Sequence, residues 1–263
     1  MPALPRAGYA GGVNQQRRSE LAVCGLEAVR ALAAARPETV TRFFCSAEHI
    51  KEFGGLCSLL ARERRPYRVV EAAELERLSG TVHHQGVVAM VADLPPARVT
   101  DSLVRQWAAG GSRVVLLDGV GDDHNIGAIA RAAAFFGWSA LVLTERFGPA
   151  RLTTSAYRVA RGALSRVQVY ADESAARCLA RAAGTLTSVG ADHRGSTELS
   201  AFWPAGGGLI LALGNEESGL DKETQAACGI LVRIQGAGAM ESLNVSQAAA
   251  LFLHHCRPPA AKA

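Results

Sequence analysis

Lysine is almost missing from this chain. Lys51, Lys222 and Lys262 are the only three among 28 basic residues. A skew that wide reflects genomic base composition rather than phosphate recognition. No apolar run approaches the roughly 20 residues that a membrane span requires. The opening stretch, "MPALPRAGYAGGVNQQRRSE", holds no continuous apolar segment, so no secretory signal is expected. Residues 1–18 read instead as a disordered tail rich in Gly, Pro and Arg. The six cysteines (Cys24, Cys45, Cys57, Cys178, Cys228, Cys256) contain no CxxC pair and no zinc spacing. No metal site is expected from them; they read as buried free thiols in a reducing cytoplasm. Acid is also missing locally. Between Arg146 and Tyr170 stand five arginines and no Asp or Glu, a segment of charge +5 in a chain whose net charge is only +4. The overall charge is too mild to prove a nucleic-acid partner. The cluster is either a solvated helix face or a phosphate-facing patch.

What is present is ample material for a core: 263 residues, 49% of them hydrophobic, suit one large or two modest domains. From Leu21 to Asp93 helical and strand patterns alternate compactly. "GLEAVRALAAARP", "AEHIKEFGGLCSLLARER" and "AAELERLSG" read as helices; "VTRFFC", "YRVV" and "GVVAMVADL" read as strands. Residues 95–112 read as a linker with room for a short helix. From Arg113 the units lengthen. "RVVLLDGV" is a nearly unbroken apolar run, as expected of a strand covered on both faces. "SALVLT", "VQVY", "TLTSVG", "GLILALG" and "ILVRI" follow as strands, interleaved with helices, the last beginning at Val245. Such alternation predicts an α/β fold, a mostly parallel sheet with helices on both sides.

In sheets of that kind ligands sit outside the carboxyl ends of the strands. Three loops in that position carry polar residues at odds with their surroundings. In "DGVGDDHNIGAIARAAAFFG", Asn125 is placed to cap a helix and Arg131 reads as a surface residue, which explains both without function. Its glycines suggest a dinucleotide loop, but a GxGxxG pattern fails at His124. In "LALGNEESGL", turn chemistry accounts for Gly214, Asn215 and Gly219. It leaves Glu216, a charge at the end of a buried strand, unexplained. In "RIQGAGAMESLN", Ser242 reads as an N-cap, while Gly236 and Gly238 allow backbone to approach a ligand closely.

Taken together and in order, "NIGAIARAAAFFG", "LALGNEESGL" and "RIQGAGAMESLNVSQAAAL" resemble the three motifs of the SpoU/TrmH family of RNA 2′-O-ribose methyltransferases, within the SPOUT superfamily. The resemblance covers Arg113 to about Cys256. "VCGLEAVRALAAARP" and "SGTVHHQGVVAMV" resemble the family's small substrate-binding domain, similar to a ribosomal-protein fold. The organisation implied is a tail at 1–18, an RNA substrate-binding domain at 19–94, a linker at 95–112, a SPOUT methyltransferase domain at 113–257 and a tail at 258–263. The resemblance further implies a deep trefoil knot, which ordinary connection rules argue against. It implies S-adenosylmethionine (AdoMet) as cofactor, a homodimer, and ribosomal or transfer RNA as substrate in the cytoplasm.

By the same resemblance Gly214, Ile234 and Leu243 contact the cofactor, chiefly through backbone groups. Asn125, Arg131, Glu216, Ser242 and Asn244 form the reaction centre. Arg146, Arg151, Arg158 and Arg161 are expected to face RNA. A guanidinium stays protonated, so Arg131 is expected to hold a phosphate and stabilise the forming alkoxide instead of acting as a base. Two departures from the family pattern bear on detail. Gln235 and Gly236 follow "RI" where the family often has Pro, and Arg161 stands where a small residue is common. A non-catalytic RNA-binding or ribosome-assembly factor on the same fold is the alternative; the presence of all five polar residues favours the enzyme, since a binder needs none of them together.

Overall fold

The structure, a computed structural model, describes residues 19–204, 206–238 and 242–259. The tail expected at 1–18 lies outside the described residues, as does most of the one expected at 258–263.

The first unit runs β1 (Glu20–Cys24), α1 (Leu26–Ala35), β2 (Val40–Cys45), α2 (Gly54–Arg62), β3 (Tyr67–Val69), α3 (Ala72–Ser79) and β4 (Val87–Ala92). Its sheet has the order β1-β4-β2-β3, antiparallel except for the β2–β3 pair. Alternate strand residues feed two cores. Val23, Phe43, Val87 and Ala89 meet α1 and α2, while Phe44, Val88 and Met90 meet Leu75 of α3. Two local expectations shift. Strand β1 has no counterpart in the sequence reading, and the helix expected from residue 47 begins only at Gly54, after a run of turns.

The second unit runs β5 (Ala97–Arg98), α4 (Asp101–Ala109), β6 (Arg113–Asp118), α5 (Asp123–Phe135), β7 (Ala140–Thr144), α6 (Thr154–Ala160), β8 (Gln168–Asp172), α7 (Ala175–Ala182), β9 (Thr187–Ala191), β10 (Thr197–Glu198), β11 (Leu209–Gly214), α8 (Lys222–Ala227), β12 (Ile230–Arg233) and α9 (Val245–His255). All its described strand pairs are parallel, in the order β10-β12-β9-β11-β6-β7-β8-β5. The stretch expected as a linker therefore supplies an edge strand and a helix to this sheet. Thr100 caps that helix by accepting from Leu103 N at 3.2 Å.

Period-two alternation divides the buried strands between two layers. Val115, Leu117, Leu211 and Leu213 face α5, α6 and α9; Val114, Leu116, Ile210 and Ala212 face α4 and α7. Every residue of β6 is buried, which is why it reads as one apolar run. Tyr157 of α6 packs against the cores of both units and joins them.

Candidate functional site

The site is built where β6, β9, β11 and β12 end. After β6 the chain turns through Gly119–Asp122, and Asp122 caps α5, its carboxylate accepting from His124 N at 2.6 Å. The expected cap, Asn125, instead lies in the first turn of the helix. It is buried, and its Nδ2 donates to the Glu216 carboxylate. The first and second motifs thus meet through a buried amide and an exposed acid. An amide donor in that position fixes one carboxylate oxygen and leaves the other available.

Glu216 sits on a tight turn after β11. Asn215 holds that turn: its Oδ1 accepts from Glu217 N (2.9 Å) and Ser218 N (3.2 Å), and its Nδ2 donates to Gly119 O (3.0 Å). Gly214 is required by this turn before any ligand is considered. A Cβ there would lie 2.2 Å from the Gly219 carbonyl carbon and 2.3 Å from Leu220 N, both backbone atoms.

A cavity of about 740 Å³ opens between this turn, the segment after β12 and the start of α9. Gly214, Glu216, Ile234, Ser242 and Leu243, all expected at the site, line it together with Gly236. Val232, Val245 and Phe252 supply an apolar side. Asn244 is not among the lining residues. Its Oδ1 accepts from Ser246 N (2.9 Å) and Ser246 Oγ (2.6 Å), so it caps α9, the task the sequence assigned to Ser242. Helix capping needs the residue immediately before the first helical one, and that residue is Asn244.

The loop after β9 adds residues that the sequence reading did not name. Asp192, His193 and Arg194 line the same cavity. Burial acts to raise the Asp192 carboxyl, but hydrogen bonds from Arg194 outweigh it and hold the group below its ordinary value. Arg194 Nε and Nη2 reach the two Asp192 oxygens at 3.1 and 3.0 Å. The signal was present: "GADHRG" is a charged run at the carboxyl end of an apolar strand, like the three loops that were singled out.

Other expected residues lie elsewhere. Arg131 is exposed, outside the cavity lining, with no hydrogen bond or ion pair among the described residues. Six residues beyond Asn125, it lies roughly 240° further round the helix. Arg146, expected to face RNA, is tied inward: its Nη1 lies 3.3 Å from Asp118 Oδ2 and 3.5 Å from Gly219 O, and its Nε lies 3.9 Å from Asp221. Burial raises the Asp118 carboxyl, and a paired arginine offsets part of that cost. Arg151, Arg158 and Arg161 have no acidic partner among the described residues; Arg151 and Arg161 are exposed and Arg158 is half-buried.

Residues 112–254 match the SpoU rRNA Methylase family, and residues 22–97 match the domain described as RNA 2′-O ribose methyltransferase substrate binding. A 23S rRNA (guanosine-2′-O-)-methyltransferase, RlmB, from Burkholderia sp. is 32% identical over 231 residues, covering 87% of this chain and 92% of the relative. A putative RNA methyltransferase of the TrmH family from Porphyromonas gingivalis superposes with a TM-score of 0.70 at 25% identity, covering 90% of this chain and 89% of that one. An AdoMet-bound rRNA methyltransferase from Sinorhizobium meliloti shares the fold, with a TM-score of 0.74 at 21% identity over 90% of this chain and 86% of that one. With its catalytic-domain match spanning more than half its length, the chain belongs to the SpoU rRNA methylase family.

Proposed function

We propose that this protein transfers a methyl group from AdoMet to a ribose 2′-hydroxyl in structured ribosomal or transfer RNA, as a cytoplasmic homodimer. The observation that carries the reading is the cavity between the turn after β11 and the start of α9, with the Asn125–Glu216 pair at its edge. At about 740 Å³ its size suits a nucleoside cofactor. Its residue chemistry suits one as well: an apolar side for an adenine ring, glycine backbone at Gly214 and Gly236 for close approach, and polar groups at the rim. AdoMet when bound supplies a methyl group on a sulfonium, already activated for transfer.

The residues of the chain then have to orient the acceptor and manage its proton. Asn125 holds the Glu216 carboxylate in one orientation beside the cavity, and Ser242 offers a hydroxyl on the facing wall. Arg131 enters this scheme through assembly. It stands one turn before Phe135 on α5, and Phe135 is 82% exposed. Around Phe135 the surface is apolar and aromatic. Its ring lies 5.0 Å from Phe136, which stacks edge-on at 5.4 Å against His254 of α9, near the exposed Leu251. A second copy covering this surface would enclose Arg131 and bring it towards a neighbouring site, where it would hold phosphate and stabilise the developing oxyanion.

The knot belongs to the same reading. The chain leaving β12 at an outer position of the sheet returns to seat α9 against α5 and β11, and the cavity lies where it passes the turn after β11. The test has two arms. Calorimetry measures AdoMet binding, expected in the micromolar range, about −8 kcal/mol. Mapping 2′-O-methyl sites in total RNA from cells with and without the protein measures transfer. Binding without any lost site would favour the non-catalytic RNA-binding alternative.

A further inference from the structure

The loop after β7 places Arg146 and Phe147 at the carboxyl end of the sheet, and Phe147 is 68% exposed. Although exposed, its ring is held. The Arg146 guanidinium lies over it, 5.0 Å from the centroid, and is itself tied to the buried Asp118 at 3.3 Å. One ring edge rests against Gly119, where a Cβ would stand 2.6 Å from Phe147 Cε2. Gly119 also has φ 71°, so both its conformation and its missing side chain serve this contact. The result is an aromatic ring supported on one face and one edge, with the rest open to solvent.

The position of the ring matches a nucleotide. In the sheet β7 is two strands from β11, about 10 Å between strand axes, and Arg146 of the loop after β7 reaches the turn bearing Glu216, its Nη1 3.5 Å from Gly219 O. Between them runs the Gly119–Asp122 loop, joined to the turn by the 3.0 Å bond from Asn215 Nδ2 to Gly119 O. A nucleotide with its 2′-oxygen beside Glu216 would lay its base across that loop towards Phe147. Resting on the methyltransferase reading above, we propose that Phe147 is the stacking platform for the base of the nucleotide whose ribose is methylated. Single-stranded or splayed-out bases are commonly held on aromatic faces, with little dependence on base identity.

The test uses the full chain, AdoMet, and ribosomal and transfer RNA isolated from cells that lack the protein. Phe147→Ala is expected to raise KM for RNA on the order of 10-fold or more, leaving kcat and AdoMet affinity near wild type. Phe147→Trp should restore KM, whereas Phe147→Leu, apolar but not aromatic, should not. With a synthetic stem-loop carrying an abasic ribose at the methylated position, the penalty of Phe147→Ala should vanish. An unchanged KM in Phe147→Ala, full rescue by Leu, or a penalty that persists on the abasic RNA would each overturn the assignment. Wild-type protein that methylates neither RNA would overturn the methyltransferase reading itself, and this inference with it.

Discussion

Replacing Arg131 by Ala separates a catalytic arginine from a solvated one, because the structure makes the two forecasts differ widely. The side chain is exposed on α5 and has no partner among the described residues, so truncating it removes no buried contact. The expected cost in stability is under about 0.5 kcal/mol, a shift of about 1–2 °C in Tm for a chain of this size. If Arg131 stabilises the forming oxyanion across a dimer contact, its removal should lower turnover by a factor on the order of 10² to 10³, about 3–4 kcal/mol. Single-turnover methylation of the mapped RNA, run beside a melting curve and a sedimentation profile, reads all three quantities. Arg131→Lys should recover only part of the loss, since a point charge cannot reproduce a planar fork. Full activity in Arg131→Ala would refute the reasoning. Loss of activity that tracks loss of the dimer would show that the residue serves assembly alone.

Other outcomes follow from the same geometry. Gly214→Val should fail to fold normally, since its Cβ meets backbone at 2.2 Å, whereas Gly236→Val, with nothing nearer than 4.0 Å, should fold and weaken AdoMet binding; calorimetry and melting curves on the pair decide whether the cavity is the cofactor site, and unchanged affinity in Gly236→Val would count against it. Phe135→Asp should cost a monomer almost nothing, because the ring is 82% exposed, but should convert a dimer to monomers in sedimentation and depress methylation with it. The thiols of Cys178 and Cys228 are pushed up to about 12 and that of Cys256 to about 11, in each case chiefly by burial. The native protein should therefore react slowly with Ellman's reagent at pH 8. Raised thiol pKa values also mean that the unfolded state releases these protons first, so stability should decline as pH climbs above about 8.5 and through the range to 12. Rapid reaction of Cys178 in folded protein would contradict this.

Much of the fold was legible because its signals are local. An apolar run such as "RVVLLD" declares a strand buried on both faces, and the glycine, asparagine and acid after "LALG" declare a tight turn with a charge left over. The family resemblance carried by the three loops placed Gly214, Glu216, Ile234, Ser242 and Leu243 at the site, and all five line the cavity; Gly236, which lines it too, had been noted only for its bare backbone. The angle between Asn125 and Arg131 was also implicit in their spacing, since six residues on a helix cannot share a face. Their assignment to one centre followed motif order, which carries no orientation. Other facts had no local signal. Whether Asp192–Arg194 reach the cavity depends on β9 lying between β11 and β12, and strand order is set by long-range pairing that a single segment does not encode. Arg146 could be read as free for phosphate until the ends of β6 and β11 brought Asp118 and Asp221 to it. Sequence alone determined most of the strands, helices and turns, though not β1, β5 or the start of α2, because backbone preference and burial periodicity act over a few residues. Tertiary structure alone decided which charges were spent inside the protein and which remained for a ligand, because a charge is neutralised by whatever the fold places beside it.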